Sequence, residues 1–472
     1  MIEDFLAQDE RKDMLRLLTA GSVDDGKSTL IGRLLFDSKQ VYEDQLQALS
    51  QESRRGSCSG TDYALLCDGL KAEREQGITI DVAYRYFATA QRKFIIADTP
   101  GHEQYTRNMV TGGSTADLAI VLVDARQGIT TQTRRHSHII DMLGIEHIVL
   151  AINKMDSIGY SAEQFNSIAE QYTAWATEQG FSFASLKIVP ISALCGDNVV
   201  NRSQSMPWYN GPTLLEILES TPICSSGVSA PFRMPVQYVI RPNQDFRGFA
   251  GRIASGTIRV GDKITVLPSG KSSQVAQIIT GTIRSTYAFA PQSVTIVLDD
   301  QIDISRGDMI VRSEQHRPAM GQKISAIVVW MDEEPMDREK LYYLKQGTLT
   351  VRATVRAIPY LLDINTGNKL ECNTLSLNQI AAVEILCSSP LVCDSYSDNK
   401  GTGAFIIIDP LTNFTSAAGI ITGAEAESTT DGNSVINISL SRHGIAIQNM
   451  ELLNSFCKIV ESRTGVTINC TE

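Results

Sequence analysis

The sequence predicts a multidomain protein in which an N-terminal α/β domain, with a mainly parallel sheet and helices on both faces, precedes two β-barrel domains. Short apolar runs alternate with helix-like stretches as far as about residue 221, as in a parallel sheet covered by helices. Beyond that point the runs become short and β-branched, with turn residues between them. A glycine-rich loop at residues 21–28 separates the first predicted strand from the first predicted helix.

Length and composition indicate an ordinary globular protein with more than one core. A chain of 472 residues is too long for one compact core, so we expect two to four domains. Hydrophobic residues make up 43% and charged residues 20%, which excludes a disordered or collagen-like chain. The net charge of −11 argues mildly against a broad nucleic-acid surface, and we expect no nucleic-acid partner.

The N-terminus and the cysteines indicate a cytoplasmic protein without a membrane span. Residues 1–13 are charged and lack the apolar core of a signal peptide. The apolar run at residues 118–123 is far shorter than the roughly 20 residues that span a bilayer. The nine cysteines form no C-x-x-C pair, so no zinc or redox motif is indicated, and their odd number fits reduced thiols in the cytosol.

The elements of the first domain, which we place at residues 1–222, follow from their apolar patterns. Predicted strands cover residues 14–20, 94–97, 118–123, 148–152 and 187–191. Predicted helices cover residues 28–35, 132–143 and 162–179. In sheets of this kind ligands bind at the carboxyl ends of the strands, and every motif described below follows a predicted strand.

The rest of the chain predicts two β-barrels and a tail. A Ser-, Pro- and Gly-rich linker at 222–235 leads to a first barrel at 230–318, with strands at 236–240, 251–253, 257–260 and 263–267. A second barrel is predicted at 320–430, with strands at 348–358 and 405–408. The tail, 431–472, has apolar residues near helical spacing from 445 to 460. This predicts a partly helical tail that either packs on the protein or docks on a partner.

The glycine-rich loop fits the phosphate-loop pattern G-x-x-x-x-G-K-[ST], between the strand and the helix that this loop requires. Its backbone N–H groups turn inward to phosphate oxygens, helped by the positive end of the following helix. Lys27 supplies a charge to the β- and γ-phosphates, and the Ser28 hydroxyl is a predicted ligand of Mg²⁺. The predicted phosphate-binding residues of this loop are Gly21, Ser22, Val23, Asp24, Asp25, Gly26, Lys27, Ser28 and Thr29.

A second motif, Asp98-Thr99-Pro100-Gly101, completes the predicted phosphate site. The Asp98 carboxylate ends a strand, where it can hold Mg²⁺ through the water shell of the ion. Gly101 can place its N–H against the γ-phosphate, so this loop responds to that phosphate. Thr79 is the natural second hydroxyl ligand of Mg²⁺, in a segment ordered by the triphosphate state. The predicted metal ligands are therefore Ser28, Thr79 and Asp98.

Two further motifs predict selection of guanine. The Asp156 carboxylate can accept hydrogen bonds from N1–H and the 2-amino group of guanine, whereas adenine would leave it unpaired. A site built on such bonds discriminates by about 10⁴–10⁵. The backbone around Ala193 adds a contact to the guanine oxygen. The predicted guanine-binding residues are Asn153, Lys154, Met155, Asp156, Ser192, Ala193 and Leu194.

His102 is the candidate catalytic residue, because it directly follows the γ-phosphate sensor Gly101 and could position the attacking water. The alternative is a satisfied structural histidine. The other histidines, including His136 and His138, are interpreted as a solvated helix face. Together the ordered motifs predict a GTPase that uses Mg²⁺ with GTP.

These motifs, followed by two β-barrels, resemble the translation-factor superfamily of GTPases over nearly the whole chain. That resemblance implies that Val23 and Ile78 are apolar gates beside His102. Within the superfamily the sequence most resembles the GTPase subunits of bacterial sulfate adenylyltransferase, also called ATP sulfurylase. The segments that carry this second resemblance are residues 64–87, 102–108, 124–128, 132–137, 345–351 and 363–366.

The resemblance implies an energy-coupling role with a partner. GTP hydrolysis would drive formation of adenylyl sulfate and pyrophosphate from ATP and sulfate, the first step of sulfate assimilation. A separate small ATP-binding subunit would transfer the adenylyl group, in a heterodimer or higher assembly. No second phosphate loop is present near the C-terminus, so adenylyl-sulfate kinase activity is not expected.

Two other functions share the GTPase motifs. The first is an elongation-factor-like GTPase that delivers aminoacyl-tRNA, which binding of charged tRNA would reveal. The second is a scaffold or regulatory GTPase without an enzymatic partner. Co-purification with a smaller ATP-binding subunit would argue against that second alternative.

Overall fold

The computed structural model describes residues 12–38, 81–102, 105–181, 183–223, 227–243 and 246–425, together with the backbone of two short strands at 435–439 and 467–471. The N-terminal domain contains one six-stranded sheet. Its strands are β1 (Met14–Ala20), β2 (Ala83–Ala88), β3 (Lys93–Asp98), β4 (Leu118–Asp124), β5 (His147–Asn153) and β6 (Ser185–Pro190). All five predicted strands of this domain are present within a few residues of their expected bounds.

The sheet order is β2-β3-β1-β4-β5-β6, and every neighbouring pair is parallel except β2–β3, which is antiparallel. The edge strand β2 was not among the predicted strands. Its outward residues Tyr84 and Tyr86 remain exposed, so β2 lacks the continuous apolar run of a strand buried on both faces.

Helices cover both faces of this sheet, as predicted. They are α1 (Lys27–Asp37), α2 (Thr106–Gly113), α3 (Thr131–Met142), α4 (Ala162–Glu178) and α5 (Leu214–Ser220). Residues of β1 alternate between two cores: Leu15 and Leu17 belong to the core under α1 and α5, whereas Leu18 and Ala20 belong to the core under α3 and α4. This alternation explains why β1 is an unbroken apolar run.

The first β-region is antiparallel throughout. Its strands are β7 (Arg233–Pro235), β8 (Tyr238–Ile240), β9 (Gly248–Arg252), β10 (Thr257–Arg259), β11 (Lys263–Leu267), β12 (Ser272–Thr280), β13 (Ile283–Ser285), β14 (Tyr287–Phe289), β15 (Ser293–Leu298) and β16 (Met309–Arg312). The order of strands in the main sheet is β7-β16-β11-β12-β15-β9-β8, and β13 pairs with β12. A separate pair, β10 and β14, packs around the same apolar core.

The second β-region closes into a barrel. Its strands are β17 (Ala319–Trp330), β18 (Tyr342–Gln346), β19 (Leu349–Leu362), β20 (Lys369–Leu370), β21 (Ile380–Cys393), β22 (Ala404–Ile408) and β23 (Thr415–Glu425), with a one-turn helix, α6 (Lys400–Gly403), before β22. Six of them form the ring β18-β22-β23-β17-β21-β19, which closes because β18 pairs with β19 as well as with β22. The short strand β20 pairs with β19 outside the ring.

This second barrel packs on both other domains. Val329, Met331 and Ile380 belong to the same apolar core as α3 and α4 of the N-terminal domain. The buried Arg233 guanidinium of β7 pairs with Asp394, which follows β21, at 3.0 Å from Nε to Oδ2. The three parts of the chain are therefore joined by buried contacts.

The tail contributes a parallel pair of strands, β24 (Val435–Ser439) and β25 (Thr467–Thr471), which the sequence analysis did not predict. The predicted helix at 445–460 lies outside the described residues. Among the helices that the structure describes, none has the length and apolar character needed to cross a bilayer. The domain boundaries at 222, 230–318, 320–430 and 431–472 stay predictions.

Candidate nucleotide site

Four predicted motifs meet at one edge of the N-terminal sheet. The phosphate loop follows β1, Asp98 ends β3, Asn153 ends β5, and Ser192 lies just beyond β6. Because these strands are parallel, their carboxyl ends lie side by side. The order of motifs along the chain therefore becomes one cluster in space.

The phosphate loop turns sharply into α1. Gly26 is the N-cap residue of α1 with a φ of 93°, a conformation that glycine adopts without strain. A Cβ at Gly26 would lie 2.5 Å from Asn153 Nδ2, so space as well as conformation requires glycine here. The first turn of an α-helix presents N–H groups that have no partner within the helix, and its dipole end is positive, so both features favour an anion here.

Lys27 lies inside the loop rather than in solvent. It is only 6% exposed, and its Nζ donates to Gly21 O at 3.0 Å and Ser22 O at 2.7 Å. Burial lowers the pKa of Lys27 below its ordinary value, while nearby carboxylates, chiefly Asp25 and then Asp98, oppose this shift. A desolvated cation held this way gains strongly from contact with phosphate oxygens.

Asp25 shapes the loop from within. It is buried, and its Oδ2 accepts the N–H of Ser22 at 2.5 Å. Burial raises the pKa of Asp25 above its ordinary value, with Lys27 the main opposing influence. Asp25 therefore maintains the turn of the loop through a local backbone contact.

The Asp98–Gly101 segment lies directly against the phosphate loop. The Thr99 hydroxyl donates to Thr19 O at 2.5 Å, which joins the ends of β3 and β1. A Cβ on Gly101 would lie 2.7 Å from Gly21 O and would clash with Lys27 Nζ, so only glycine allows this approach. The position of Gly101 is therefore consistent with a main-chain contact to the same phosphates as Lys27.

The oxygen donors here suit Mg²⁺. The Asp98 carboxylate is 2% exposed and accepts the Thr19 hydroxyl at 3.3 Å, and Ser28 lies in the first turn of α1. Mg²⁺ binds one or two protein oxygens together with water and phosphates, so a carboxylate and a hydroxyl fit it. The described residues hold no cluster of three or more His, Cys, Asp or Glu that suits a metal held by protein alone. Thr79 and Ile78 lie outside the described residues.

His102 is half-buried beside the phosphate loop. It follows Gly101 directly, and its ring centroid lies 5.9 Å from that of Tyr105. The backbone O of His102 accepts the N–H of Tyr105 at 3.0 Å, just before α2. The predicted role of His102 in water positioning stays a prediction.

Asn153 joins the phosphate loop to the predicted guanine loop. Its Nδ2 donates to Asp25 O at 2.8 Å and its Oδ1 accepts the Ala193 N–H at 2.9 Å. Because Asn153 is 2% exposed and uses both ends of its amide, its first role is to hold these two loops together. The sequence motif instead predicts that Asn153 contacts the base.

Lys154 and Asp124 form a second link to the loop. Lys154 Nζ donates to Asp24 O and to Asp124 Oδ2, the latter at 2.9 Å. Burial alone would raise the pKa of Asp124, but hydrogen bonds from Arg126 and Lys154 hold it well below its usual range. Sequence reasoning missed Asp124 and Arg126 as site residues, although Asp124 ends β4 at the same edge of the sheet.

Asp156 lies at the mouth of this cluster. Its Oδ1 accepts the Ser192 hydroxyl at 2.5 Å, and the same Ser192 oxygen accepts the Cys195 N–H at 3.1 Å. The Asp156 carboxylate is partly exposed and thus able to accept further hydrogen bonds. Met155 and Ala193 are buried, whereas the Leu194 side chain is 57% exposed. The arrangement is compatible with a planar base that donates to Asp156.

The interpretation of His136 and His138 as a solvated helix face is wrong. Both lie on α3 but are buried, at 1% and 7% exposure. His136 Nδ1 accepts the N–H of Gly21 at 3.2 Å, and the His138 ring packs edge-on against Trp175 and Phe181. The polar residues of α3 suggest a solvent-exposed helix, but α3 lies between the phosphate loop and the second barrel.

The burial of His136 leads to a pH prediction. Burial, followed by the nearby cations Lys27 and Arg135, lowers the pKa of His136 to about 3. Unfolded chains take up this proton as the pH falls through about 6.5, so the unfolded state binds one more proton between these values. As the pH decreases through this window, the free energy of unfolding is therefore expected to decrease by roughly 1.4 kcal/mol per pH unit for this group.

Chemical denaturation of the wild-type chain and of His136→Asn between about pH 6 and about pH 4 measures this contribution. The asparagine side chain does not titrate, so the variant is expected to lose stability less steeply as the pH falls. Equal slopes for the two proteins would contradict the burial of a neutral His136.

Comparison with known proteins agrees with this geometry. Residues 12–222 match the model of the elongation factor Tu GTP-binding domain, and residues 323–422 match the GTP-eEF1A C-terminal domain-like model. The fold and the motif cluster thus define a GTPase of the translation-factor superfamily.

Two relatives narrow the class of GTPase to one family. Sulfate adenylyltransferase subunit 1 of Bacteroides fragilis is 54% identical over 97% of this chain and 96% of its own length. The protein of the same name from Bacteroides thetaiotaomicron is 52% identical over 99% and 98%. The chain belongs to the sulfate adenylyltransferase subunit 1 family.

Proposed function

We propose that this chain is the GTPase subunit of a two-component sulfate adenylyltransferase, in which GTP hydrolysis drives formation of adenylyl sulfate and pyrophosphate from ATP and sulfate. The observation that carries the proposal is the identity of more than half of all residues to sulfate adenylyltransferase subunit 1 over nearly the full length of both chains. Names of these relatives do not point to aminoacyl-tRNA delivery.

The geometry supports a division of labour among the site residues. Backbone N–H groups at the start of α1, together with Lys27, would hold the phosphates, and Asp156 would accept from the guanine base. Ser28 and Asp98 would hold Mg²⁺, which when bound neutralises charge on the phosphates. His102 would orient the attacking water, while Gly101 would contact the γ-phosphate through its backbone.

A partner follows from the chemistry of this proposal. Adenylyl transfer needs a site for ATP, and the phosphate-loop cluster described above carries a carboxylate suited to guanine instead. We therefore propose a small ATP-binding subunit as the partner, in a heterodimer or a higher assembly in the cytoplasm. Loss of the γ-phosphate would release Gly101 and the segment around Thr79, and that change of state would act on the partner.

The test uses the complex of this chain with its small subunit. Adenylyl sulfate formation is expected to rise on adding GTP, whereas this chain alone hydrolyses GTP slowly and makes no adenylyl sulfate. In the His102→Ala complex, GTP hydrolysis is expected to fall about 100-fold and GTP-stimulated synthesis with it, because the water is no longer positioned. GTP binding should persist in that complex.

The matched control is His316→Ala, because the His316 side chain is exposed and remote from the motif cluster, and its backbone oxygen, which accepts from Arg233, is retained. It should keep full GTP-stimulated synthesis. Full stimulation in the His102→Ala complex would show that hydrolysis is not the coupled event. Absence of any GTP effect in the wild-type complex would overturn the proposed function itself.

A further inference from the structure

The contact between His136 and the phosphate loop has no part in the function proposed above. Gly21 is the first residue of the loop, and its N–H points to His136 Nδ1 at 3.2 Å. An imidazole nitrogen accepts a hydrogen bond only without a proton, so this contact requires neutral His136 with its proton on Nε2. At 1% exposure, no water competes for this contact.

Gly21 connects this histidine to Lys27, the cation of the loop. Its carbonyl oxygen accepts Lys27 Nζ at 3.0 Å, while its N–H is held by His136. A Cβ at Gly21 would lie 3.0 Å from both Asp25 Oδ2 and Leu122 O, so the residue sits in a tightly enclosed space. A shift of Gly21 would therefore displace Lys27.

The same helix contacts the next residue of the loop. Thr130, the N-cap residue of α3, bonds through its hydroxyl to the Ser22 hydroxyl at 2.7 Å. Its capping bonds with Thr133 fix the start of α3. Two consecutive loop residues are thus held by one helix.

The opposite side of α3 is held by the second barrel. Arg134 Nη1 donates to Asn365 O at 2.9 Å, and Tyr396 Oη donates to Leu143 O at 3.1 Å just after the helix. The segments 132–137 and 363–366, both noted in the sequence for their family resemblance, therefore meet here. The position of His136 is set by this packing as well as by the loop.

We propose that neutral His136 is a positioning residue of the nucleotide site, which holds Gly21 and, through the Gly21 carbonyl, places Lys27 for the β- and γ-phosphates. The inference rests on the proposed function only in that GTP is taken to bind this loop. Helix α3 thereby takes part in nucleotide binding, although none of the phosphate or guanine motifs lies on it.

Three substitutions separate positioning from simple packing. His136→Asn places an amide oxygen close to the position of Nδ1 and retains the acceptor, whereas His136→Leu fills the space without one. His138→Leu is the matched control, because it is the same change at a buried histidine of α3 whose ring contacts Trp175 and Phe181 instead of the loop.

Affinities for GTP and GDP are measured by titration of the full chain, with thermal unfolding recorded for each variant. His136→Leu is expected to bind both nucleotides about 10-fold more weakly, since the buried Gly21 N–H loses its acceptor. His136→Asn should stay within about 3-fold of wild type, as should His138→Leu despite its loss of packing.

If His136→Leu does not fold, His136→Gln replaces it in the comparison. The amide oxygen of glutamine lies one bond farther from the backbone, so this variant should bind both nucleotides more weakly than His136→Asn. Wild-type affinity in His136→Leu, or equal weakening in His136→Asn and its leucine or glutamine counterpart, would overturn the inference. A folded wild-type chain that binds no GTP would instead overturn the proposed function.

Discussion

The Lys27→Ala variant is expected to bind GTP about 100-fold more weakly than the wild-type chain, or worse. Lys27 is almost completely buried within the phosphate loop, where Gly21 O and Ser22 O hold its ammonium group. Phosphate oxygens would offer this desolvated cation charge-assisted hydrogen bonds, which no neighbouring residue can replace after truncation.

The fold should survive this change. Removing Lys27 leaves two carbonyl oxygens without their donor, which destabilises the fold. It also removes a buried cation, whose pKa is lowered by burial, and this stabilises the fold, so the two effects oppose each other. Nucleotide titration with a circular dichroism control measures both outcomes. Lys187→Ala, at an exposed position on β6 of the same sheet, is the matched control and should bind normally. Near-normal GTP affinity in Lys27→Ala would sink the phosphate-loop assignment.

The Asp156→Asn variant is expected to prefer xanthosine triphosphate over GTP. Xanthine carries an oxygen where guanine carries its 2-amino group, and the new amide can donate where the carboxylate only accepted. Ser192 Oγ can still donate to the remaining side-chain oxygen, so the local structure should persist. Loss of the hydrogen bonds to guanine is expected to lower the affinity for GTP by about 100-fold.

Competition between the two nucleotides on the purified variant measures the preference directly. Ser157→Ala is the matched control, because Ser157 donates to Asp156 Oδ2 at 3.3 Å and its loss leaves the carboxylate in place. That control should retain selectivity for GTP. An unchanged preference in Asp156→Asn would remove Asp156 from the base site.

Strand positions and motif clustering were predictable because they depend on local patterns. The run at β4 is fully buried along its length, so its apolar sequence alone identifies a central strand. Parallel strands then bring Asp98 and Asn153 to the same edge of the sheet. No knowledge of side-chain contacts was needed for either step.

Contacts between distant segments were not predictable in this way. Whether His136 faces solvent or a loop 115 residues away depends on how α3 packs. Its charged neighbours Arg134 and Arg135 suggest a solvent-exposed position, which the packing of α3 contradicts. The double use of the Asn153 amide likewise depends on partners far along the chain, Asp25 and Ala193.

The sequence by itself therefore determined the fold class, the GTPase class and the residue types at the nucleotide site, because phosphate and guanine recognition depend on short motifs with fixed chemistry. Only the tertiary structure decided which of those residues also hold the site together. Asn153, Asp124 and His136 act across loops, and burial changes what each can do: it keeps His136 neutral as an acceptor, and it encloses Asp124 between cations. Burial of this kind depends on packing between whole elements, which no short motif encodes.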